Sequence, residues 1–414
     1  MITRVKGFKD ILHEEGKLYE KVINIAKEFF ELNGFKQLTT PILEKTELFV
    51  RSIGETTDIV QKEMFTFQDK SGEFLTLRPE GTAPVVRAYI ENSLYAYGNI
   101  HKFYYYGPMF RRERPQKGRL RQFHQIGIEC FGSESPFLDA HVIHILYELL
   151  NRFQINNVSI EINSIGCKNC RPEYKEKLKK FLLDKREFLC DDCQNRIDKN
   201  PLRVLDCKNG ECKKVVENSP LIIDFLCEEC KNHFNKVKDF LNKFKVTYNI
   251  NPFMVRGLDY YTRTVFEAIS TSLGGQNAVG AGGRYDGLVR EIGGKNIPGI
   301  GFALGIERIL LVSNLKFEPE SPDIYLILLG DNVYEKGLEI YKNLVSENFV
   351  VEFDYEMKGL KNQLKKADRL GCKYAIIIGE DELKEQVLLL RNLKESKQEK
   401  ISFQELKEKL RSLK

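Results

Sequence analysis

The stretch from Tyr104 to Phe131, YYYGPMFRRERPQKGRLRQFHQIGIECF, constrains the fold of this chain more than any other. Its ends read as strands and its middle as a basic loop. Tyr104 to Phe110 is aromatic and apolar, the composition that a half-buried pleated surface selects. From Gln122 to Cys130 the residues alternate, so Phe123, Gln125, Gly127 and Glu129 share one face and His124, Ile126, Ile128 and Cys130 the other. The loop carries Arg111, Arg112, Arg114, Lys117, Arg119 and Arg121 against a single acid, Glu113. A solvated basic hairpin tip would account for that charge alone. It would not account for Gln125 and Glu129 on the adjoining face, where donors and acceptors would line one cleft beside the arginines. Such a cleft suits an anion, because the guanidinium fork pairs phosphate at two points and stays charged when desolvated.

Bulk properties bound the remaining choices. A chain of 414 residues makes roughly two to three domains and buries a sizeable core. Its 42% hydrophobic and 30% charged residues are those of a soluble globular protein, and a net charge of +5 is too mild to argue for nucleic acid by itself. No apolar run approaches the roughly 20 residues that span a bilayer. The polar N-terminus, MITRVKGFKDILHEEGKLYE, has no signal-peptide core. A cytoplasmic protein without membrane partners is expected. In that reducing compartment ten cysteines in close pairs suggest metal before disulfide.

Along the chain, Leu18, Val22, Ile25, Phe29 and Leu32 form a helical stripe that Asn33-Gly34 stops. A strand-like run leads to Pro41. FLTLRPEGTAPVVRAYI switches from a strand (Phe74 to Leu77) to a helix beginning near Thr82. The corner between them holds Arg78, Glu80 and Thr82, polar groups that serve either as caps or to face a ligand's ammonium group. A helix follows at about Phe137 to Phe153, then the alternating strand VSIEINSIG. From Cys167 to Tyr248 the chain turns lysine-rich, helical and cysteine-studded. NPFMVRGLDYYTRTVFEAIS returns to β character and precedes the glycine-rich LGGQNAVGAGGRYDGLVREIGG. IPGIGFALGIERILLVSN reads as a strand turning into a helix at about Ala303, apolar enough that Arg308 on it needs an acidic or phosphate partner. Pro319 and Pro322 mark a linker. Beyond it, strands DIYLILLG, FVVEFDY and YAIIIG alternate with helices, the last of them closing a small α/β module with a largely parallel sheet. Lys358, Lys361, Lys365, Lys366, Arg369 and Lys373 cluster there, as a solvated face or a phosphate-tracking one.

Phosphate-loop, dinucleotide and zinc-hydrolase signatures are absent. ATP could still bind on an antiparallel sheet, and here a family resemblance enters. MFRRERPQKGRLRQFHQ resembles motif 2 of class II aminoacyl-tRNA synthetases, specifically of histidyl-tRNA synthetases. TTPILEKTELFVRSIGE is similar to motif 1, which in the family builds the dimer interface, and GIGFALGIERILL to motif 3. TLRPEGTAPVVRAY resembles the segment that holds the substrate's amino group. VRGLDYYTRTVFE and GAGGRYDGL resemble the two histidine-specific segments, and the C-terminal module the class IIa anticodon-binding domain.

The resemblance implies an α+β catalytic domain with a mixed, mostly antiparallel sheet flanked by helices, formed by residues 1–166 and 249–318. A helical cysteine-rich insertion (167–248) and a C-terminal α/β anticodon-binding domain (322–414) complete it. It implies a homodimer that ligates L-histidine to its cognate tRNA through an adenylate, with ATP and Mg2+. Arg111 and Arg256 are then the catalytic pair at the α-phosphate and also border the histidine. Arg119 and Arg308 bind the β- and γ-phosphates, and Glu113 the adenine or ribose side. Glu80, Thr82 and Gln125 hold the ammonium group, and Gly81 is counted with them as histidine-binding. Glu129 and Tyr260 hold the imidazole nitrogens, Tyr261 closes the pocket, and Gln116 reads the extra base at the tRNA 5′ end. Two rivals stand beside this reading. One is a regulatory subunit of ATP phosphoribosyltransferase, which keeps the fold without the activity. The other is a zinc-dependent nucleic-acid-binding protein, which leaves the histidine-specific segments unexplained.

Four cysteine pairs have metal-ligand spacing: Cys167 with Cys170, Cys190 with Cys193, Cys207 with Cys212, and Cys227 with Cys230. Eight thiolates suit two structural zinc ions, and eight reduced thiols are the alternative. Cys190, Cys193, Cys227 and Cys230 form the first candidate set, since both pairs flank helical segments. Cys130 and Cys372 read as core thiols.

Overall fold

The computed structural model describes every residue except 56, 274–276, 318–320, 357 and 413–414. Pro319 of the expected linker and residues 274–276 of the glycine-rich stretch lie outside the described residues. The chain divides into two compact units, Met1–Phe317 and Glu318–Lys414.

The first unit is built on an eight-stranded sheet. Its strands are β1 (Lys36–Gln37), β2 (His101–Phe110), β3 (Gln122–Phe131), β4 (Val158–Ser164), β5 (Tyr248–Ile250), β6 (Thr262–Ser270), β7 (Ala278–Arg284) and β8 (Gly299–Gly305), in the spatial order β1-β2-β3-β8-β7-β6-β4-β5. Six central strands are antiparallel, and the short edge strands β1 and β5 pair in parallel. The sheet is therefore mixed and mostly antiparallel. The β2–β3 hairpin is paired over its whole length, from His101 opposite Phe131 to Phe110 opposite Gln122. That register fixes which side chains share a face.

One face of the sheet is covered by α1 (His13–Leu32), α3 (Pro136–Arg152), α7 (Glu228–Lys243) and α8 (Ile306–Val312); α2 (Thr82–Glu91), α4 (Arg171–Asp184), α5 (Asp191–Lys199) and α6 (Gly210–Val216) lie elsewhere in the unit. Ile126 and Ile128 of β3 join this core with Val22, Phe30, Leu146, Val237 and Ile306. Each such side chain, removed from water, stabilises the fold by about 1.5–3 kcal/mol. Helix α1 ends where Asn33-Gly34 was expected to stop it: Asn33 Nδ2 donates to Phe29 O at 2.8 Å, and Gly34 takes φ +78°. Its buried stripe is rotated from the expected one. Val22 and Phe29 are buried and Ile25 packs half-buried against the core, while Tyr19, Ala26 and Phe30 are buried beside them, Leu18 is half-buried and Leu32 is exposed. Strand β8 runs to Gly305, and α8 starts at Ile306, three residues later than the expected boundary at about Ala303.

The second face carries the cleft and a further core, to which the insertion contributes Leu178, Leu182, Ile197 and Val204 against Tyr89, Tyr174 and Tyr285. The C-terminal unit holds β9 (Ile324–Leu329), β10 (Val351–Phe353), β11 (Tyr374–Gly379), β12 (Val387–Asn392) and β13 (Lys397–Ser402), ordered β10-β9-β11-β12-β13, with α9 (Tyr334–Ser346), α10 (Leu360–Arg369) and α11 (Leu406–Arg411). Three strands are parallel as expected. The antiparallel hairpin β12–β13, which was not expected, intervenes between YAIIIG and the closing helix α11. Strand β13, KQEKIS, is an almost wholly exposed edge with no apolar alternation, and so carries no strand signal in sequence.

Candidate active site

A cleft of about 1030 Å³, its mouth included, opens on the sheet face away from α1 and α3. Period-two alternation in β3 decides this. Ile126 and Ile128 go into the helix-covered core, whereas Phe123 and Gln125 line the cleft. Around it stand two groups of side chains.

The first group is cationic. Arg111, Arg119, Arg256 and Arg308 all line the cleft, from the loop after β2, the segment before β6, and α8. Arg111 donates through Nε to Pro79 O at 2.8 Å and lies 5.3 Å from the centre of the Phe123 ring. Glu113 stands between two of them, 3.6 Å from Arg111 and 2.6 Å from Arg119. The expectation that Arg308 needs an acidic or phosphate partner is met differently. Its Nε and NH1 donate to the carbonyls of Gly118 and Ala278, at 3.2 and 2.5 Å. Burial, followed by the charge of Arg119, lowers its pKa. Arg256 is ion-paired with Glu267 and lies over the Tyr261 ring. Burial is the largest single influence and works against its charge, but Glu267, Tyr261, Tyr260 and Asp206 together outweigh it, so its pKa is raised. Its Nε finds no hydrogen-bond partner among the described residues.

The second group is a floor of carboxylates and tyrosines. Glu80 caps α2, its carboxylate accepting from the N–H groups of Thr82 at 2.6 Å and Ala83 at 2.8 Å, and it also lines the cleft. Cap and cleft wall are thus one residue. Burial raises its pKa, against those two amides. Gly81, the cap residue, does not line the cleft; a Cβ there would come within 2.2 Å of the Tyr105 ring. Glu129 lies beneath the floor, only 1% exposed. It accepts from Thr82 Oγ1 at 2.7 Å, from Tyr105 OH at 3.4 Å and from Tyr285 OH. Burial pushes its pKa up to about 8. Opposite it, Gly301 is obligatory, since a Cβ would lie 1.9 Å from Glu129 Oε2. Tyr260 and Tyr261 pack at 4.6 Å, and Tyr260 meets Tyr285 edge-on. Gln125 Oε1 and Tyr260 OH are buried without a partner at hydrogen-bonding geometry among the described residues. Unpaired buried polar atoms of this kind are costly unless a ligand completes them.

Gln116 is outside the cleft lining, at the hairpin tip, where it exchanges backbone hydrogen bonds with Arg119 at 3.0 and 2.9 Å. Tyr105, Tyr285 and Glu267 take part in the site and were not singled out from sequence. Tyr285 lies inside the glycine-rich segment GAGGRYDGL, where it is the only aromatic residue, and that was the available signal.

The cysteines combine differently from the first candidate set. Cys167, Cys170, Cys227 and Cys230 form one cluster, and Cys190, Cys193, Cys207 and Cys212 another. Cys167 follows β4 and Cys227 precedes α7, the helix that packs back on the sheet, so the two bracket the part of the insertion that lies before α7. Cys190 and Cys193 belong to its interior and meet the pair that follows them. All ten cysteines are free thiols in the structure.

Comparison with known proteins agrees with the geometry. A family model described as histidyl-tRNA synthetase matches residues 7–309, and one described as an anticodon binding domain matches residues 323–413. The histidine–tRNA ligase of Thermodesulfovibrio yellowstonii is 50% identical, covering 98% of this chain and 97% of that protein. That of Aquifex aeolicus is 49% identical, covering 98% and 100%. The apo crystal structure of Staphylococcus aureus histidyl-tRNA synthetase aligns over 99% of each chain, with a TM-score of 0.82 and 35% identity. A Bacillus halodurans structure described as an ATP phosphoribosyltransferase regulatory subunit/histidyl-tRNA synthetase shares the fold at a TM-score of 0.66 but only 20% identity. With motifs, cleft and relatives in agreement over the whole length, the chain belongs to the histidyl-tRNA synthetase family.

Proposed function

We propose that this chain ligates L-histidine to its cognate tRNA in two steps within the cleft. The histidine carboxylate attacks the α-phosphorus of ATP, an O–P bond forms, and the bond to the β-phosphate breaks to release pyrophosphate. A ribose hydroxyl of the tRNA end then attacks the carbonyl carbon, and AMP leaves. The observation that carries this reading is the convergence of four guanidinium groups on one cleft whose floor is Glu80, Gln125 and the tyrosines.

Negative charge gathers at the five-coordinate phosphorus, and fixed cations aimed at it lower the barrier. Arg111 and Arg256 are assigned there. Arg111 is oriented by Pro79 O and Arg256 by Glu267, so neither has to reorganise during reaction. Arg119 and Arg308 are assigned to the β- and γ-phosphates. Mg2+ would accompany ATP on its phosphate oxygens, and Glu113, between Arg111 and Arg119, is assigned to the adenine or ribose side.

On the floor, each Glu80 oxygen keeps a free lone pair for the histidine ammonium after capping α2. Gln125 Oε1 offers a second acceptor. Tyr260 and Glu129 are assigned to the imidazole, and an amino acid without ring nitrogens would leave the buried Tyr260 hydroxyl unpaired. Tyr261 closes the pocket beneath Arg256. Gln116, at the loop tip, is assigned to the tRNA 5′ end. The insertion would embrace the acceptor arm, and the C-terminal unit the anticodon, where Lys361, Lys365 and Arg369 form an exposed basic face of α10.

The active form is a homodimer in the cytoplasm. In the small sheet of Leu43–Lys45, Phe65–Gln68 and Phe74–Leu77, Leu43 of the segment like motif 1 and Phe67 are exposed on one face, apolar surface that a second copy would cover. Among the described residues no helix is long and apolar enough to cross a membrane.

Exchange of labelled pyrophosphate into ATP, run with each amino acid in turn, tests the reading. Exchange with histidine alone is expected, and Arg256→Ala should lose it by at least about a hundredfold, the loss typical of a removed charge-stabilising donor, while keeping its fold. No exchange with any amino acid in the folded wild-type dimer would overturn the reading in favour of a regulatory role.

A further inference from the structure

The two cysteine quartets stand apart from the cleft, and the proposed chemistry uses neither. We propose that each binds one zinc ion tetrahedrally, giving two structural zinc sites per chain, and that the first clasps the part of the insertion that lies before α7, beside the cleft.

Geometry carries the assignment. In each quartet all four Sγ atoms lie within 4.8 Å of one another. Cys167 Sγ is 3.7 Å from Cys170 Sγ and 4.0 Å from Cys227 Sγ, and Cys190 Sγ is 3.9 Å from Cys207 Sγ. Zinc–sulfur bonds of about 2.3 Å in a tetrahedron place the sulfurs about 3.8 Å apart. A disulfide would bring them to about 2.05 Å. A four-iron cluster would hold its cysteine sulfurs much further apart.

The two sites are also built alike. In each, the first cysteine of one pair donates its backbone N–H to the second sulfur of the other pair: Cys227 to Cys170 Sγ at 3.1 Å, and Cys190 to Cys212 Sγ at 3.2 Å. In each, the two inner sulfurs belong to buried residues and the outer two to half-buried ones. Four thiolates around a divalent ion carry a net charge of −2, which amide donors and cations must offset. At the first site Arg171 and Arg263 lie within electrostatic reach of the sulfurs. With four cysteines and no open position, such a site is structural.

Its placement gives the first site a further role. It joins residues 60 positions apart in sequence, Cys167 and Cys227, and so closes the part of the insertion between them into a loop. Arg171, next to Cys170, donates to the main-chain carbonyl of Tyr261, and Arg263 donates its N–H to Gly166 O at 2.9 Å. The clasp thereby holds the segment that carries Tyr260 and Tyr261.

Elemental analysis of the full chain, purified without chelator, tests this. Two zinc ions per chain are expected, with X-ray absorption showing four sulfur neighbours at about 2.3 Å. The pair Cys167→Ser with Cys227→Ser, and separately Cys190→Ser with Cys207→Ser, should each leave one. One zinc or none in the wild-type protein, or iron in its place, would overturn the assignment, whether or not the variants fold.

Discussion

Glu129 shows how a single residue ties the site to stability. Its ordinary pKa is 4.5, and burial in the folded chain raises it to about 8. Between those values the folded state holds a proton that the unfolded state has released, so stability is greatest below 4.5 and falls as pH rises towards 8. The slope reaches at most about 1.4 kcal/mol per pH unit from this group. Denaturant titrations across that range should show Glu129→Gln losing less stability than the wild type, because the amide has no charge to desolvate. Parallel curves would contradict the assignment. Much of this residue-scale picture is legible in the sequence. Alternation alone puts Phe123, Gln125 and Glu129 on the face opposite Ile126 and Ile128. What alternation leaves out is depth: Glu129 sits under the floor because Gly301 on the neighbouring strand makes room for it, a cross-strand fact absent from either segment. Tyr285 reaches Glu129 from a third strand end, which no local pattern shows.

At the scale of elements, a buried ionic network joins the sheet to its helices. Arg284, at the end of β7, donates to Asp139 of α3 at 2.7 Å, to Asp286 at 2.7 Å and to Ser133 O at 2.7 Å. His233 of α7 meets the other oxygen of Asp139 at 2.8 Å. Arg284 and Asp139 are fully buried. Removing Asp139 leaves a buried guanidinium without its main partner, and Asp139→Ala should cost about 3–5 kcal/mol, read as a lower thermal midpoint. A loss under about 1 kcal/mol, the range of an exposed pair, would show that the network is not the fastening. The hairpin tip makes the opposite case. Gln116 contributes only its backbone to the turn, so Gln116→Ala should slow tRNA charging far more than pyrophosphate exchange, and equal losses in both assays would count against its assignment to the tRNA. Pair spacing announced that the cysteines act in pairs but not which pairs meet, since that depends on β4 and α7 returning to one place.

For the whole molecule, catalytic motifs and anticodon module are separate compact units of one chain. The three parallel strands of the second unit were legible because they are continuous apolar runs such as YAIIIG. Its edge hairpin was not, because an exposed edge strand gains nothing from an apolar face. The exposure of Phe67 and Phe74 likewise declares itself only in the folded chain. What both units serve, in this account, is one product. The most direct test is transfer of labelled histidine to tRNA by the full chain in the presence of ATP, with the other amino acids as controls. Histidine alone should appear on the tRNA, with one AMP released for each histidine attached. A folded dimer that leaves the tRNA uncharged and releases no AMP would contradict the account.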